Sequence, residues 1–493
     1  MDCEFIKDSM NINQIVQNRK DIYTIEGDCI VPDIKPDILE IISTNGILNI
    51  YKKEMTDGKI RIDGSVNCFV DYKSENEIRS INHTIEFSQI IQLENVKSDM
   101  NDCCNISLKS INAKIINERK INIKANLECA MNVTKISKVE YISGATENVQ
   151  RREKCINTNS LFGMGTTKVS INEKQDANIG DNIAEVLSSK VTYKDIETKI
   201  SYNKILVKSD VVIKSLYLTD DGRIVALKNI YPIMGFIEME GVNEESIVIP
   251  SIENNNSIIN LMNNSINLDI EVKIDVKVYE DKQVNLIEDM YSLNGNLNFK
   301  KDNMKIKKNM SVNYGKQSFS AQGENVGDGS IIDIDSKVID LQTSIVNTHI
   351  LVEAEIETKI LFLSGGIQSK VVHNKTNFEI NGLNIDSNSI INMKINISNE
   401  NYNVMTGGNI ELKMDLDYII EISNVETLEI INEAKVEEWE NKNQYNMIVY
   451  FANKNESLWD ISKKFKTTEE KIIEENNLKD QNVSAGTKLY IST

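Results

Sequence analysis

At 493 residues the chain exceeds what one hydrophobic core can organise, so several domains are expected. Apolar residues make up 40% and charged residues 26%, an ordinary balance for a folded soluble protein. The net charge of −19 argues against nucleic acid and anionic membrane as main partners, because both need a basic surface.

The opening residues, Met1 to Asp8, lack the charged-then-apolar pattern of an export signal. No apolar run approaches the roughly 20 residues of a membrane helix, so no transmembrane segment is expected and the chain should be made and kept in the cytoplasm. Seven cysteines (Cys3, Cys29, Cys68, Cys103, Cys104, Cys129 and Cys155) all lie in the first third. Their number is odd and no C-x-x-C occurs, which reads as free thiols in a reducing compartment and not as a zinc site.

In chain order, the first strong pattern is an apolar alternation from Ile60 to Tyr72. It returns from Ile205 to Tyr217 and from Ile350 to Phe362, in steps of 145 residues, each stretch closing on an aromatic residue. A second alternating block begins at Ile121, Ile266 and Ile410, in steps of 145 and 144. Period-two alternation marks strands with one buried face: Ile60, Ile62, Gly64, Val66, Cys68 and Val70 on one side, Arg61, Asp63, Ser65 and Asn67 on the other. Asp57-Gly58, Asp220-Asp221-Gly222 and Gly365-Gly366 supply turns, the second of them inside a hairpin running from Leu216 to Leu227.

The expected fold class is therefore mainly β and multidomain. Three repeated antiparallel β domains cover residues 20–136, 178–290 and 328–424, joined by polar linkers at 137–177 and 291–327. The stretch 425–446, with six Glu against two Lys and no Gly or Pro, reads as an acidic helical or partly disordered tether carrying Trp439 as a candidate anchor. Residues 447–493 read as a small α+β (βααβ) module.

In that module Ile448–Phe451 is a short strand. Ser457 with Asp460 three residues on has the spacing of a capping box that starts a helix, and Thr467 with Glu470 repeats it. Leu458, Ile461 and Phe465 share one apolar face and fill the core of a very small domain. Gly486 turns the chain into a last strand, Lys488–Ile491. The module is charge-balanced, with seven Lys against seven acids from residue 446 on, so it is not a simple charge magnet.

Two resemblances follow. Val31-Pro32-Asp33-Ile34-Lys35-Pro36-Asp37-Ile38-Leu39-Glu40-Ile41 before the first alternating block, with looser echoes at Asp181–Leu187 and Asp328–Ile334, resembles the SPOCS domains of endospore coat-assembly proteins. Tyr450, Asn455-Glu456-Ser457-Leu458-Trp459, Asn476-Asn477-Leu478 and Gly486-Thr487-Lys488-Leu489-Tyr490-Ile491 are similar to the LysM pattern, with Asn and Glu where that family has Gly and Asp. Three such domains followed by a LysM resemble the SipL type of coat morphogenetic protein. That likeness implies a spore-coat morphogenetic ATPase (SpoIVA-like) as partner through the LysM, at the forespore surface in the mother cell.

In LysM domains the ligand groove lies between the first turn and the loop after the second helix. The resemblance thus implies Lys454, Asn455, Glu456, Ser457, Leu458, Trp459, Asn477, Leu478, Lys479 and Gly486 as partner- or glycan-binding residues, with Trp459 and Lys454 the main candidates for partner contact. The Asn455 and Glu456 departures shift the expected ligand from N-acetylated glycan toward protein, leaving peptidoglycan as the alternative.

No catalytic constellation stands out. His83, His349 and His373 lie in or beside β blocks without a nucleophile motif, and Gly163-Met164-Gly165 is a lone G-x-G without a phosphate-loop lysine. The expectation is a non-enzymatic adaptor with no cofactor and no metal, rivalled by a peptidoglycan-binding protein and, more distantly, by a wall hydrolase.

Overall fold

The computed structural model describes residues 4–75, 77–145, 148–438, 447–478 and 483–492. Three six-stranded units follow one another. The first holds β1 (Phe5–Ile30), β2 (Glu40–Thr56), β3 (Lys59–Lys73), β4 (Ile78–Gln92), β5 (Asn101–Asn117) and β6 (Lys120–Ala145). The second holds β7 (Val149–Asp176), β8 (Ile183–Ser201), β9 (Lys204–Thr219), β10 (Ile224–Glu238), β11 (Ile247–Met262) and β12 (Ser265–Ser292). The third holds β13 (Gly295–Gln322), β14 (Ser330–Val346), β15 (His349–Leu363), β16 (Ile367–Ile380), β17 (Ser389–Val404) and β18 (Ile410–Glu438). In every unit the second, third and fourth strands form one antiparallel sheet, and the first, sixth and fifth form another.

The repeating alternation sits on the two central strands of each unit. In the first unit Val66, Cys68 and Val70 of β3 face Ile121, Ile123, Ala125 and Leu127 of β6 across the core. The second and third units build the same core from β9 with β12 and from β15 with β18. The closing aromatics Tyr72, Tyr217 and Phe362 are all buried. The Tyr72 hydroxyl donates to the Pro36 carbonyl at 3.0 Å and the Tyr217 hydroxyl to Asp181 at 2.8 Å, tying each entry segment to its sheet.

The face of β3 read as solvated is only partly so. Ser65, Phe69 and Asp71 are buried as well, because the central strands pack on the neighbouring unit. Strands β4 and β8, β10 and β14, and β16 and β2 lie side by side, so the three sandwiches close into a ring. Leu187, Leu216, Leu218 and Leu361 meet at its centre with Ile42, Ile78 and Ile332. Ion pairs seal the seams: Lys35 with Glu185, Lys53 with Glu253 at 2.6 Å, Lys190 with Asp335, and Lys214 with Asp333 at 2.6 Å.

The segments read as linkers are strand. Residues 137–177 contain the end of β6 and all of β7, and residues 291–327 contain β13. Only residues 146–148 and 293–294 separate one unit from the next. The acidic tether is also strand as far as Glu438, since 425–438 pairs with 295–307. The rest of it, Trp439 included, lies outside the described residues.

These extra lengths form three two-stranded ribbons: 5–14 with 135–145, 149–160 with 280–292, and 295–307 with 425–438. A lone ribbon is marginal in water, so it needs a partner for its apolar face. Here each ribbon has the other two. Ile12, Val139, Ile156, Leu286, Ile306 and Ile430 pack into one core, and Ile142, Ile287, Met290 and Ile431 into a second beyond it. The molecule is thus a ring of three heads on a three-ribbon stalk.

Candidate partner-docking site

The C-terminal module contains β19 (Ile448–Phe451), α1 (Leu458–Phe465), α2 (Glu469–Asn476) and β20 (Lys488–Ile491), with β19 and β20 paired antiparallel. Ser457 caps α1 as its spacing predicts. Its hydroxyl accepts from the Asp460 backbone N–H at 3.1 Å, and the Asp460 carboxylate accepts from the Ser457 N–H at 3.0 Å. The second cap falls one residue later than expected: Thr468, not Thr467, accepts from Lys471 N–H. Leu458, Ile461 and Ile472 join Ala452, Leu489 and Ile491 in the core, with Phe465 packed against them.

Helix α1 has a second occupied face. Trp459, Ser462 and Lys463 follow one another at helical spacing and all meet the stalk ribbon of the second unit. The Trp459 indole N–H donates to Asp289 Oδ2 at 2.8 Å, and the Lys463 ammonium reaches Asp289 Oδ1 at 2.7 Å. The Trp459 ring stands edge-on to Tyr291 at 5.0 Å between centroids, with the Arg152 guanidinium 5.7 Å from its centroid. The Tyr291 hydroxyl donates to the Thr467 carbonyl at 2.8 Å and lies 2.9 Å from Ser462 Oγ.

The electrostatics match this geometry. Burial alone would raise the Asp289 carboxyl, but the Lys463 and Trp459 hydrogen bonds outweigh it and hold the group below the usual carboxylate range. Burial pushes the Tyr291 phenol up to about 12. Asp289, Tyr291 and Arg152 thus form a socket that the sequence reading did not single out. Its one signal lay in the repeat: Tyr291 stands where the first and third units have Thr146 and Lys435 in the register of their alternating blocks.

The ten expected contact residues separate accordingly. Trp459 is 6% exposed and Leu458 1%, so the first belongs to the socket and the second to the module's core. Leu478 is half-buried against that core. Ser457 is the helix cap. Glu456 pins its turn: the Asn453 backbone N–H donates to it at 2.9 Å and the Tyr450 hydroxyl at 2.7 Å, which together hold its carboxyl low.

Lys454, Asn455, Asn477 and Gly486 are exposed on the two loops. Asn455 has φ +65° and Asn477 φ +50°, left-handed positions where asparagine is the usual substitute for glycine. Gly486 has φ +82° with open space around its missing Cβ. Lys479 lies outside the described residues.

The remaining chemistry is sparse. Cys29, Cys68 and Cys129 are buried free thiols, Cys155 is an exposed one, and Cys104 is buried. Burial pushes the Cys68 thiol up to about 12, which makes it a poor nucleophile. His349 and His373 lie beside Glu379 and Glu355 on sheet surfaces. Among the described residues no three His, Cys, Asp or Glu side chains are grouped to hold a metal ion, and no helix is long and apolar enough to cross a membrane.

A family model described as SipL, SPOCS domain, matches residues 37–116 and 182–262, and a LysM model matches residues 453–492. The domain make-up is that of a SipL-type protein. The two SPOCS segments coincide with the strands inserted between the long ones, β2 to β5 and β8 to β11. The corresponding strands of the third unit, β14 to β17, lie outside the match but keep the same order. No curated protein and no solved structure matches the chain. SPOCS and LysM domains are non-catalytic binding domains, and their presence supports a sporulation-related adaptor or cell-wall-binding role.

Proposed function

We propose that the chain is a non-catalytic scaffold of endospore coat assembly. Its LysM docks the SpoIVA-like coat ATPase at the forespore surface, in the mother-cell cytoplasm. The ring of heads localises or assembles the protein. One observation supports this reading most: α1 is bolted to the stalk, while Lys454, Asn455, Asn477 and Gly486 stay exposed on two loops. A LysM held this way meets a partner with its loops already positioned, which lowers the ordering cost of docking a large surface.

Peptidoglycan is the second reading, favoured by the LysM match and by the open backbone at Gly486. The two readings separate in one experiment with the full chain. Immobilised protein is offered the purified coat ATPase, and soluble protein is sedimented with insoluble peptidoglycan. Capture of the ATPase without co-sedimentation supports the adaptor. Co-sedimentation without capture overturns it in favour of glycan.

A further inference from the structure

The ring of heads does not close evenly. A cavity of about 360 Å³ lies where the three heads meet, within the size range of small-molecule sites. Its two sides differ. Ile47, Leu48, Ile106, Leu108 and Ile111 of the first head form an apolar wall, while charged side chains of the second and third heads form the opposite side.

Most of those charges are matched. Lys214 holds Asp333 at 2.6 Å and Glu400 at 3.2 Å. Lys190 holds Asp335, Lys53 holds Glu253 at 2.6 Å, and Lys337 holds Glu357 at 2.7 Å. Lys359 is the exception. It lines the cavity, yet among the described residues its ammonium has no hydrogen bond and no ion pair. Burial holds it below the usual lysine range, against the pull of Asp335 and Asp71. Across from it Asp71, 4% exposed, takes the Ser43 hydroxyl on Oδ2 at 2.6 Å and leaves Oδ1 without a partner.

The repeat explains why Lys359 stands alone. Lys214 and Lys359 are 145 residues apart and occupy the same place on β9 and β15. Lys214 reaches forward to Asp333 and Glu400 of the next head. For Lys359 the next head around the ring is the first. By strand register, Ser43 of β2 stands there in place of Asp333, and Ile111 of β5 in place of Glu400. Both line the cavity. The lysine is kept and its two acids are replaced by a hydroxyl and an apolar side chain. The half-buried Lys359 ammonium feels Asp335 and Asp71 but forms an ion pair with neither; an anion that brings an apolar body gives it a direct partner and covers the first head's wall at once.

We infer that this cavity binds a small organic monoanion with an apolar tail, of the medium-chain carboxylate class, with its carboxylate on Lys359 and its tail along Ile106, Leu108 and Ile111. The probe is octanoate, measured on the full chain by calorimetry and thermal shift. Acetate serves as the control without a tail and octyltrimethylammonium as the control with the opposite charge. Octanoate is expected to bind and to raise the melting temperature, with acetate and the cation at least about tenfold weaker.

Lys359→Met should weaken octanoate by at least about tenfold, and Ile111→Glu, which restores the third head's acid, should abolish binding while keeping the ring folded. No octanoate binding at millimolar concentration, meaning a cavity that holds water only, overturns the inference. So does equal binding of octanoate and octyltrimethylammonium, a comparison that needs no variant to fold.

Discussion

The seam between the second and third heads and the junction between stalk and LysM use the same chemistry at different depths. At the seam, Lys214, Asp333 and Glu400 have side chains between 11% and 15% exposed, under a roof of buried leucines. At the junction, Lys463 is 38% exposed and Asp289 18%, and one tryptophan supplies most of the apolar cover. Depth decides what each contact does. A buried pair is dear to break because the surviving charge has no water, whereas a half-exposed pair contributes little net energy and mainly fixes geometry. The seam therefore holds the fold together, and the junction orients a module.

Lys214→Met should cost about 3–5 kcal/mol, read as a lower midpoint in chemical denaturation, because Asp333 and Glu400 are left buried and unpaired. This cost should depend on pH. Burial pushes the Asp333 carboxyl up to about 6 even with Lys214 present, above its unfolded range. The fold therefore binds this proton more tightly than the unfolded chain does, and the stability it contributes is present at low pH and lost as pH rises through about 6. The variant should thus be least damaged below that pH. A penalty that stays flat across the range would mean the seam is not carried by this carboxylate.

A smaller loss is expected from Ile274→Ala in the core of the second head, about 2–4 kcal/mol by cavity formation in the same assay, with no pH dependence. At the weak end, Asp289→Ala should leave the heads' unfolding midpoint unchanged. It should speed amide exchange in α1, because the Trp459 N–H and the Lys463 ammonium lose their acceptor at a local cost of about 1–3 kcal/mol. Loss of the whole fold in this variant would show that the junction is structural for the heads as well. The smallest effect belongs to Asn455→Gly, within about 0.5 kcal/mol, since the residue already has a positive φ. If that change also creates peptidoglycan co-sedimentation, the asparagine is what turns the groove away from glycan.

Much of the fold was legible because burial and alternation coincide. The blocks starting at Ile60 and Ile121 and their copies are the central strands, where every second residue faces the core. The long outer strands were not legible, for a physical reason. In the ribbon parts of β7 and β13 the polar, Asn- and Lys-rich runs carry few apolar residues, and Ile156 and Ile306 among them are buried because three ribbons meet. No single ribbon's sequence contains that fact. The stretch from Val425 to Glu438 misled for a related reason: its glutamates favour helix as an isolated segment, but pairing with residues 295–307 and burial of Leu428 and Ile430 override that preference. In the candidate site, the second cap came out one residue off, while the module's core and its first cap were readable from spacing. Trp459 was not, because its partners Asp289 and Tyr291 are about 170 residues away in another domain.

The central claim is that the stalk presents the LysM loops to a protein partner while α1 stays seated. Amide exchange on the full chain, with and without the coat ATPase, tests it directly. New protection is expected only at residues 452–457 and at the described loop residues around Asn477 and Gly486, with exchange across α1 unchanged. Protection on the heads alone, or exposure of α1 as the ATPase binds, would contradict it.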